Sequence, residues 1–453
     1  MNHLATIQNG ESVKGWKRYP TYKDSGVAWL GEIPEHWETQ KLKHLGEVKL
    51  SNVDKKSKEN EDTVKLCNYV DVYYNDYITE RIQFLVATAS LDQKRKFALR
   101  KGDVLLTKDS ETWDDIAIPA YVETNLGGVI CGYHLAHIRP YEAKAFGEYL
   151  FRAISSTRLR EQFWVAANGV TRFGISKSSI SDVLLPAPLL PEQHLIAQFL
   201  NRETAKIDTL IAKKERLIDL LKEKRTALIS HAVTKGLNPD VPMKDSGIPS
   251  VGQIPEHWNV ERNKLIFREI DKRSKTGKEE LLTVSHITGI TPRSEKEVNM
   301  FLAESMEGYK LCSPDDLIIN TMWAWMGALG ISSYAGIVSP SYNVYRLNRE
   351  YIPKYLDLLY RTPAYICEIT RYSKGVWTSR LRLYPDEFFE IYTVTPPLSE
   401  QQQIVEYIER EQNKIQMLSE KLQGSIERLR EYRTALISAA VTGKIDVRGE
   451  VVA

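Results

Sequence analysis

The residue types that carry catalysis are scattered along this chain rather than gathered. A phosphate-cradling loop would read G-x-x-x-x-G-K-[ST], and no such stretch occurs. Methyl transfer to a base amino group calls for a [DN]-P-P-[FYW] tetrapeptide to hold that base. The only Asn-Pro is Asn238-Pro239, followed by Asp240. Metal-assisted hydrolysis needs clustered carboxylates with a lysine to bind Mg²⁺ and activate water. Glu142-Ala143-Lys144 has that spelling, but no Pro-Asp stands at a suitable distance upstream. His134 and His137 fall in a strand-like run and make a poor metal pair. His36 and His257 each precede a tryptophan and read as structural. No Ser/His/Asp or Cys/His set recurs, so no nucleophile stands out. The expectation is a chain with no catalytic residue and no metal site of its own.

Residues suited to nucleic acid are better represented. The stretch 92–101, DQKRKFALRK, holds five basic residues (Lys94, Arg95, Lys96, Arg100 and Lys101) against one acid. That donor density suits a run of phosphates, where each neutralised charge releases counterions. The other reading is a solvated loop. Lys108 stands next to last in the overlapping run 99–109, LRKGDVLLTKD. Arg172 lies in 169–174, GVTRFG, and Arg380 and Arg382 lie in 375–382, GVWTSRLR. These are corresponding loops before the last strand of each half. An arginine in a Gly/Thr/Ser loop can reach a phosphate or a guanine edge. Trp323 and Trp325 alternate in 320–327, NTMWAWMG, and are expected to share one face of a strand. Core packing and DNA contact are the two readings for them.

Composition sets the frame for these sites. The chain has 453 residues, enough for two to four domains, and its 42% apolar content supports real cores. The net charge is only +2, so any nucleic-acid signal must be local. Cys67, Cys131, Cys312 and Cys367 are far apart and read as buried thiols of a reducing compartment. The polar N-terminus shows no signal peptide, and no apolar run is long enough to span a membrane. A cytoplasmic protein without a membrane partner is expected.

Two long helices organise the rest. Leu200, Ile207, Leu221 and Leu228 recur on a seven-residue spacing, with Lys214 in the missing slot. Ile211, Ile218 and Ala232 are companions, with Thr204 and Arg225 the exceptions. The second seam is Ile408, Ile415, Leu422, Leu429 and Leu436, 208 residues later. Such seams seek a partner helix, most simply each other, in a coiled coil. The duplication reaches further. Residues 31–37, GEIPEHW, return as 252–258, GQIPEHW, and Gly102–Thr107 aligns with Asp315–Asn320. The offset falls from 221 to 208, so the first copy carries about 13 extra residues in its middle. The copies match at the joints and seam but diverge over 59–101 and 276–310, and again over 107–127 and 321–336. A repeated frame around divergent middles suits two sites doing one job on different targets. Short apolar runs at Asp103–Thr107, Gly128–Cys131 and Leu317–Asn320 predict buried strands, and Ala145–Ser155 and Tyr351–Tyr360 predict helices. Gly236 and Gly443 mark the exits of the long helices.

In that order and duplication, the chain resembles the specificity subunit of type I restriction-modification enzymes. The motifs that carry the resemblance are the repeated G-x-I-P-x-H-W, the runs Leu99–Asp109 and Ile318–Gly330, the helix starts Pro188–Ile196 and Pro396–Ile404, and the paired RTALIS closings. The fold this implies is two tandem mixed α/β target-recognition domains joined by two antiparallel helices, with an internal pseudo-two-fold. The expected division is 1–190 for the first domain, 191–234 for its helix, 235–398 for the linker and second domain, 399–443 for the second helix, and 444–453 for a tail. The resemblance implies double-stranded DNA as target, each domain reading half of a bipartite site while the helices set the spacing. It also implies two modification (methyltransferase) subunits carrying S-adenosylmethionine, and restriction (endonuclease/translocase) subunits carrying ATP and Mg²⁺, with no cofactor on this chain. The rival readings are a self-contained methyltransferase or nuclease, and a coiled-coil scaffold that binds no DNA.

Overall fold

A computed structural model of the protein describes residues 16–295 and 305–450. Residues 1–15, part of the divergent stretch 276–310, and the last three residues of the tail lie outside the described residues. The chain divides into two compact units, Met1–Lys214 with Gly424–Ala453, and Glu215–Gln423. The division cuts both long helices, so each unit is a mixed α/β domain carrying one segment of each helix.

The first unit is built on a five-stranded sheet with the order Gly46–Leu50, Leu135–Pro140, Val104–Thr107, Pro119–Val122, Tyr77–Ile78. The second unit repeats it as four strands: Phe267–Glu269, Tyr342–Leu347, Leu317–Asn320, Leu329–Ile331. The additional strand, Tyr77–Ile78, pairs parallel to Pro119–Val122 and comes from the longer middle of the first copy. All four residues of Val104–Thr107 and of Leu317–Asn320 are buried, which is why both read as unbroken apolar runs. Each of these central strands is preceded by a buried aspartate. Asp103 accepts from the Arg100 amide and from Arg139 Nε and Nη2, at 2.7–2.8 Å. Asp316 repeats this with the Ser313 amide and Arg346, at the same distances. Burial alone would raise the Asp103 pKa, but hydrogen bonds from Arg139 and His137 outweigh it, and the carboxyl sits below its ordinary range.

The long helices run Leu190–Lys235 and Leu398–Val441. In the first unit, His36 of the GEIPEHW motif lies 2.9 Å from Glu192, in the first turn of the first helix. The end of the second helix meets the same motif: Tyr22 donates to the Gly443 carbonyl, and a Cβ on Gly443 (φ +72°) would overlap Pro34 and press on Trp37. The second unit repeats the joint with the helices exchanged. His257 lies 2.8 Å from Glu400 of the second helix, and Gly236 (φ +78°), at the end of the first, packs on Trp258 and Pro255. In each unit the start of one helix therefore lies beside the end of the other, and the paired segments run antiparallel. The left-handed turn at each exit is open to glycine alone without strain. In the first unit, Arg433 clasps Asp208 at 2.9 and 3.3 Å and also reaches Asp76, tying helix to helix and helix to domain.

Along the seam, Leu200, Ile207, Ile211, Leu221, Ile408, Leu422 and Leu436 are buried, while Ile218, Leu228, Ile415 and Leu429 are half-buried. Ile404 and Ile426 are buried as well and were not among the expected positions. The two shorter helices start later than expected, at Gly147 and Pro353. One cysteine departs from expectation: Cys367 is exposed, because its helix, Pro363–Tyr372, turns Tyr365 and Ile369 inward instead.

Candidate nucleic-acid interface

The candidate residues gather at one end of each central strand, opposite the buried aspartate. In the first unit the strand Val104–Thr107 runs on into Lys108 and Asp109, and Asp109–Ser110 pairs with Phe173–Gly174. That pairing seats a short hairpin. Asn168 and Gly174 exchange backbone hydrogen bonds at 3.0 and 2.9 Å, and the Ile175 amide donates to the Lys108 carbonyl. The second unit builds the same object. Lys374 and Arg382 exchange backbone hydrogen bonds at 2.8 and 2.9 Å, and the Leu383 amide donates to the carbonyl of Thr321, which follows the strand Leu317–Asn320. Each hairpin opens on a glycine whose φ only glycine tolerates, +154° at Gly169 and +156° at Gly375.

The polar groups around the first hairpin form a connected set. Lys108 Nζ lies 3.2 Å from Asp109 and 4.6 Å from the centre of the Tyr133 ring. His134 Nδ1 lies 2.8 Å from the same carboxylate and 3.3 Å from Arg172 Nη2. One Nδ1 cannot donate to Asp109 and accept from Arg172 at once, so the exposed Arg172 guanidinium keeps donors free for a ligand. Nearby, Tyr73 donates to Asp115 at 2.7 Å, and that bond is the main reason its pKa is pushed up to about 12. Lysine, arginine and histidine donors thus mix with carboxylate acceptors. Such a mixture suits base edges, which present both kinds of group, better than it suits phosphate.

At the second site Arg380 and Arg382 follow an exposed Trp377, and Lys374 pairs with Glu387. Trp323 and Trp325 do not share a strand face, contrary to expectation. The strand stops at Asn320, and Ala324–Met326 is a single 3₁₀ turn closed by Gly327 in the left-handed region, φ +86°. Trp323 is left half exposed. Trp325 is partly buried and donates its indole N–H to the Met322 carbonyl at 3.1 Å.

Comparison with known proteins bears on what these ends do. Residues 34–219 match the family model described as the type I restriction modification DNA specificity domain. Over that stretch the chain is similar to the specificity family. A putative type I restriction enzyme MjaX specificity subunit of Methanocaldococcus jannaschii is 23% identical over 426 residues, 92% of this chain and 96% of the relative. The EcoBI specificity subunit of Escherichia coli is 24% identical over 301 residues, 61% of this chain and 62% of that protein. Two solved structures share the fold. The HsdS subunit from Thermoanaerobacter tengcongensis has a TM-score of 0.51 at 18% identity, over 91% of this chain and 98% of that one. A chain solved in work on complex assembly and conformational transition of the type I R-M system has a TM-score of 0.58 at 17% identity, over 92% and 99%.

The structure brings Lys108 and Arg172 together around Asp109 and His134, and it puts Arg380 and Arg382 on the equivalent hairpin. The basic run is separate and is not a loop. Leu91–Phe97 is a helix with Ser90 and Gln93 forming a capping box, and Phe97 is buried beneath it. Arg95 and Lys96 are exposed, whereas Lys94 is held by Asp62 at 2.7 Å. Arg100 and Lys101 follow in the turn leading to Asp103. Sequence reasoning missed Asp109, Tyr133 and the role of His134. Only the position of Lys108-Asp109 after a buried strand hinted at them.

Proposed function

We propose that this chain is the DNA sequence-recognition subunit of a type I restriction-modification complex, each unit reading one half of a bipartite site. The observation that carries this reading is the repeated hairpin. Both units place it at the same end of the same strand on the same frame, while the side chains around it differ. Fixed geometry with exchanged chemistry fits one task performed on two sequences. The mixed donors and acceptors of the first unit support base reading there, and the exposed cations of Leu91–Phe97 support phosphate contact.

The finer assembly rests on the family. Two modification subunits supply S-adenosylmethionine and the methyl transfer, and restriction subunits supply ATP, Mg²⁺ and cleavage. This chain supplies specificity and no catalytic group. Exposed Leu217, Leu220, Met417 and Leu418 on the long helices of the second unit offer apolar area for docking modification subunits. No helix among the described residues is long and apolar enough to cross a membrane. A genome-directed complex would work in the cytoplasm. Methylation-sensitive sequencing of the host genome tests this reading. Deleting the chain should erase one bipartite methylation motif, and the purified chain alone should transfer no methyl group. Methylation by the isolated chain, or an unchanged methylome on deletion, would sink it.

A further inference from the structure

Val170 and Val376 are the two most exposed large apolar side chains among the described residues, at 95% and 93%. They occupy the same place in the two hairpins, directly after the glycine. A Cβ on Gly169 would lie 2.0 Å from the Arg172 carbonyl oxygen, and one on Gly375 would lie 2.7 Å from that of Arg380. Both hairpins are thus closed tightly across the valine. Their bases are pinned to the central strands. A β-branched side chain is stiff about χ1, so each tip presents a fixed apolar knob. An arginine follows it within the same loop, Arg172 in one unit and Arg380 in the other.

The neighbours of the valine differ between the units, Thr171 in one and Trp377 in the other, and Lys108 in one against Thr321 in the other. A group common to both sites cannot be what tells two sequences apart. We propose that Val170 and Val376 act as apolar wedges, each entering a base step at its own half-site and partly unstacking it. The cost of that unstacking depends on the step, so deformability adds to recognition without a base contact. This inference rests on the DNA-reading function proposed above and extends it to a residue and a mode.

The full chain assembled with its modification subunits provides the test. A randomised duplex pool gives the selected motif, and 2-aminopurine is then placed at successive steps of that motif. On binding, fluorescence should rise at one step in each half. Val170→Ser should abolish the rise in one half only, weaken binding about tenfold and relax the preference at that step alone, with the other selected bases unchanged. Val170→Ile should keep the rise. The wedge is overturned if no step brightens, if Val170→Ser binds as the parent does, or if the preference changes at bases away from the brightened step. It is equally overturned if the variant loses its modification subunits, which would make the tip a protein contact. Failure of the parent complex to select any sequence would remove the DNA-reading function along with the wedge. Selection by the parent with an indifferent variant removes the wedge alone.

Discussion

Asp103 shows what one side chain does for a candidate reading end on the far side of its strand. It is buried, and it joins the turn at Arg100 to Arg139 and His137 on the neighbouring strand. Asp103→Asn leaves Arg139 short of its counter-charge and should cost on the order of 3 kcal/mol in the first unit, as broken buried pairs do. The folded pKa lies below the ordinary 3.8, so this stabilisation is complete above that value and is lost as pH falls through the lower folded value. Denaturant unfolding of parent and variant should differ fully at pH 7 and converge in strong acid. A gap that persisted there would locate the effect in packing instead. Surface cations should act differently. Arg95→Ala with Lys96→Ala should flatten the dependence of DNA binding on salt by up to about two phosphate contacts, whatever the sequence. Arg172→Ala should instead change which base is preferred, at about 1–3 kcal/mol if its contact is bidentate. An unchanged salt slope in the double variant would make the helix Leu91–Phe97 merely solvated. At this scale the sequence was only partly legible. Lysine, arginine and tryptophan were chosen by type and loop context, but His36 with Glu192, or His134 with Asp109, are tertiary contacts with no local signal. Alternation at Trp323 and Trp325 suggests a strand, while Gly327 closes the run as a 3₁₀ turn.

The elements were far more legible, because their signals are periodic or repeated. The long helices show in a seven-residue seam and in glycines at their exits. The GEIPEHW motif stood out by duplication, and the structure gives the physical reason for it. Each copy is a socket that takes the start of one helix through histidine and the end of the other through tryptophan. Such a socket constrains its residues on several sides at once, whereas the middles are constrained only by their own cores. The antiparallel pairing leads to a length prediction. Four residues inserted after Lys214 add about one turn, roughly 6 Å, and nearly preserve the seam. The clasp between Arg433 and Asp208 and the joint at His257 both lie outside the insertion. The unread gap between half-sites should lengthen by about one or two base pairs, at 3.4 Å each, with both half-sites unchanged. Inserting two residues turns the seam by about 200° and should abolish assembly. A methylating four-residue variant with its old gap would show that the helices do not set the spacing.

At the scale of the molecule, one frame occurs twice and is filled with different chemistry. The repeat is what made the architecture readable from sequence. The divergence between copies is why no recognised base could be read with it. On the proposed function, base reading falls to side chains such as Lys108, Arg172 and Arg380, whose surroundings no repeat constrains. If the two units read independently, exchanging one filling alters one half-site alone. Residues 59–185 are replaced by the equivalent segment of a known specificity subunit, and the methylated motif is mapped by sequencing the genome of cells that carry the hybrid. One half of the bipartite motif should change to the donor's, while the other half and the gap between them stay as they were. A change in both halves, or in neither, would rule out modular reading.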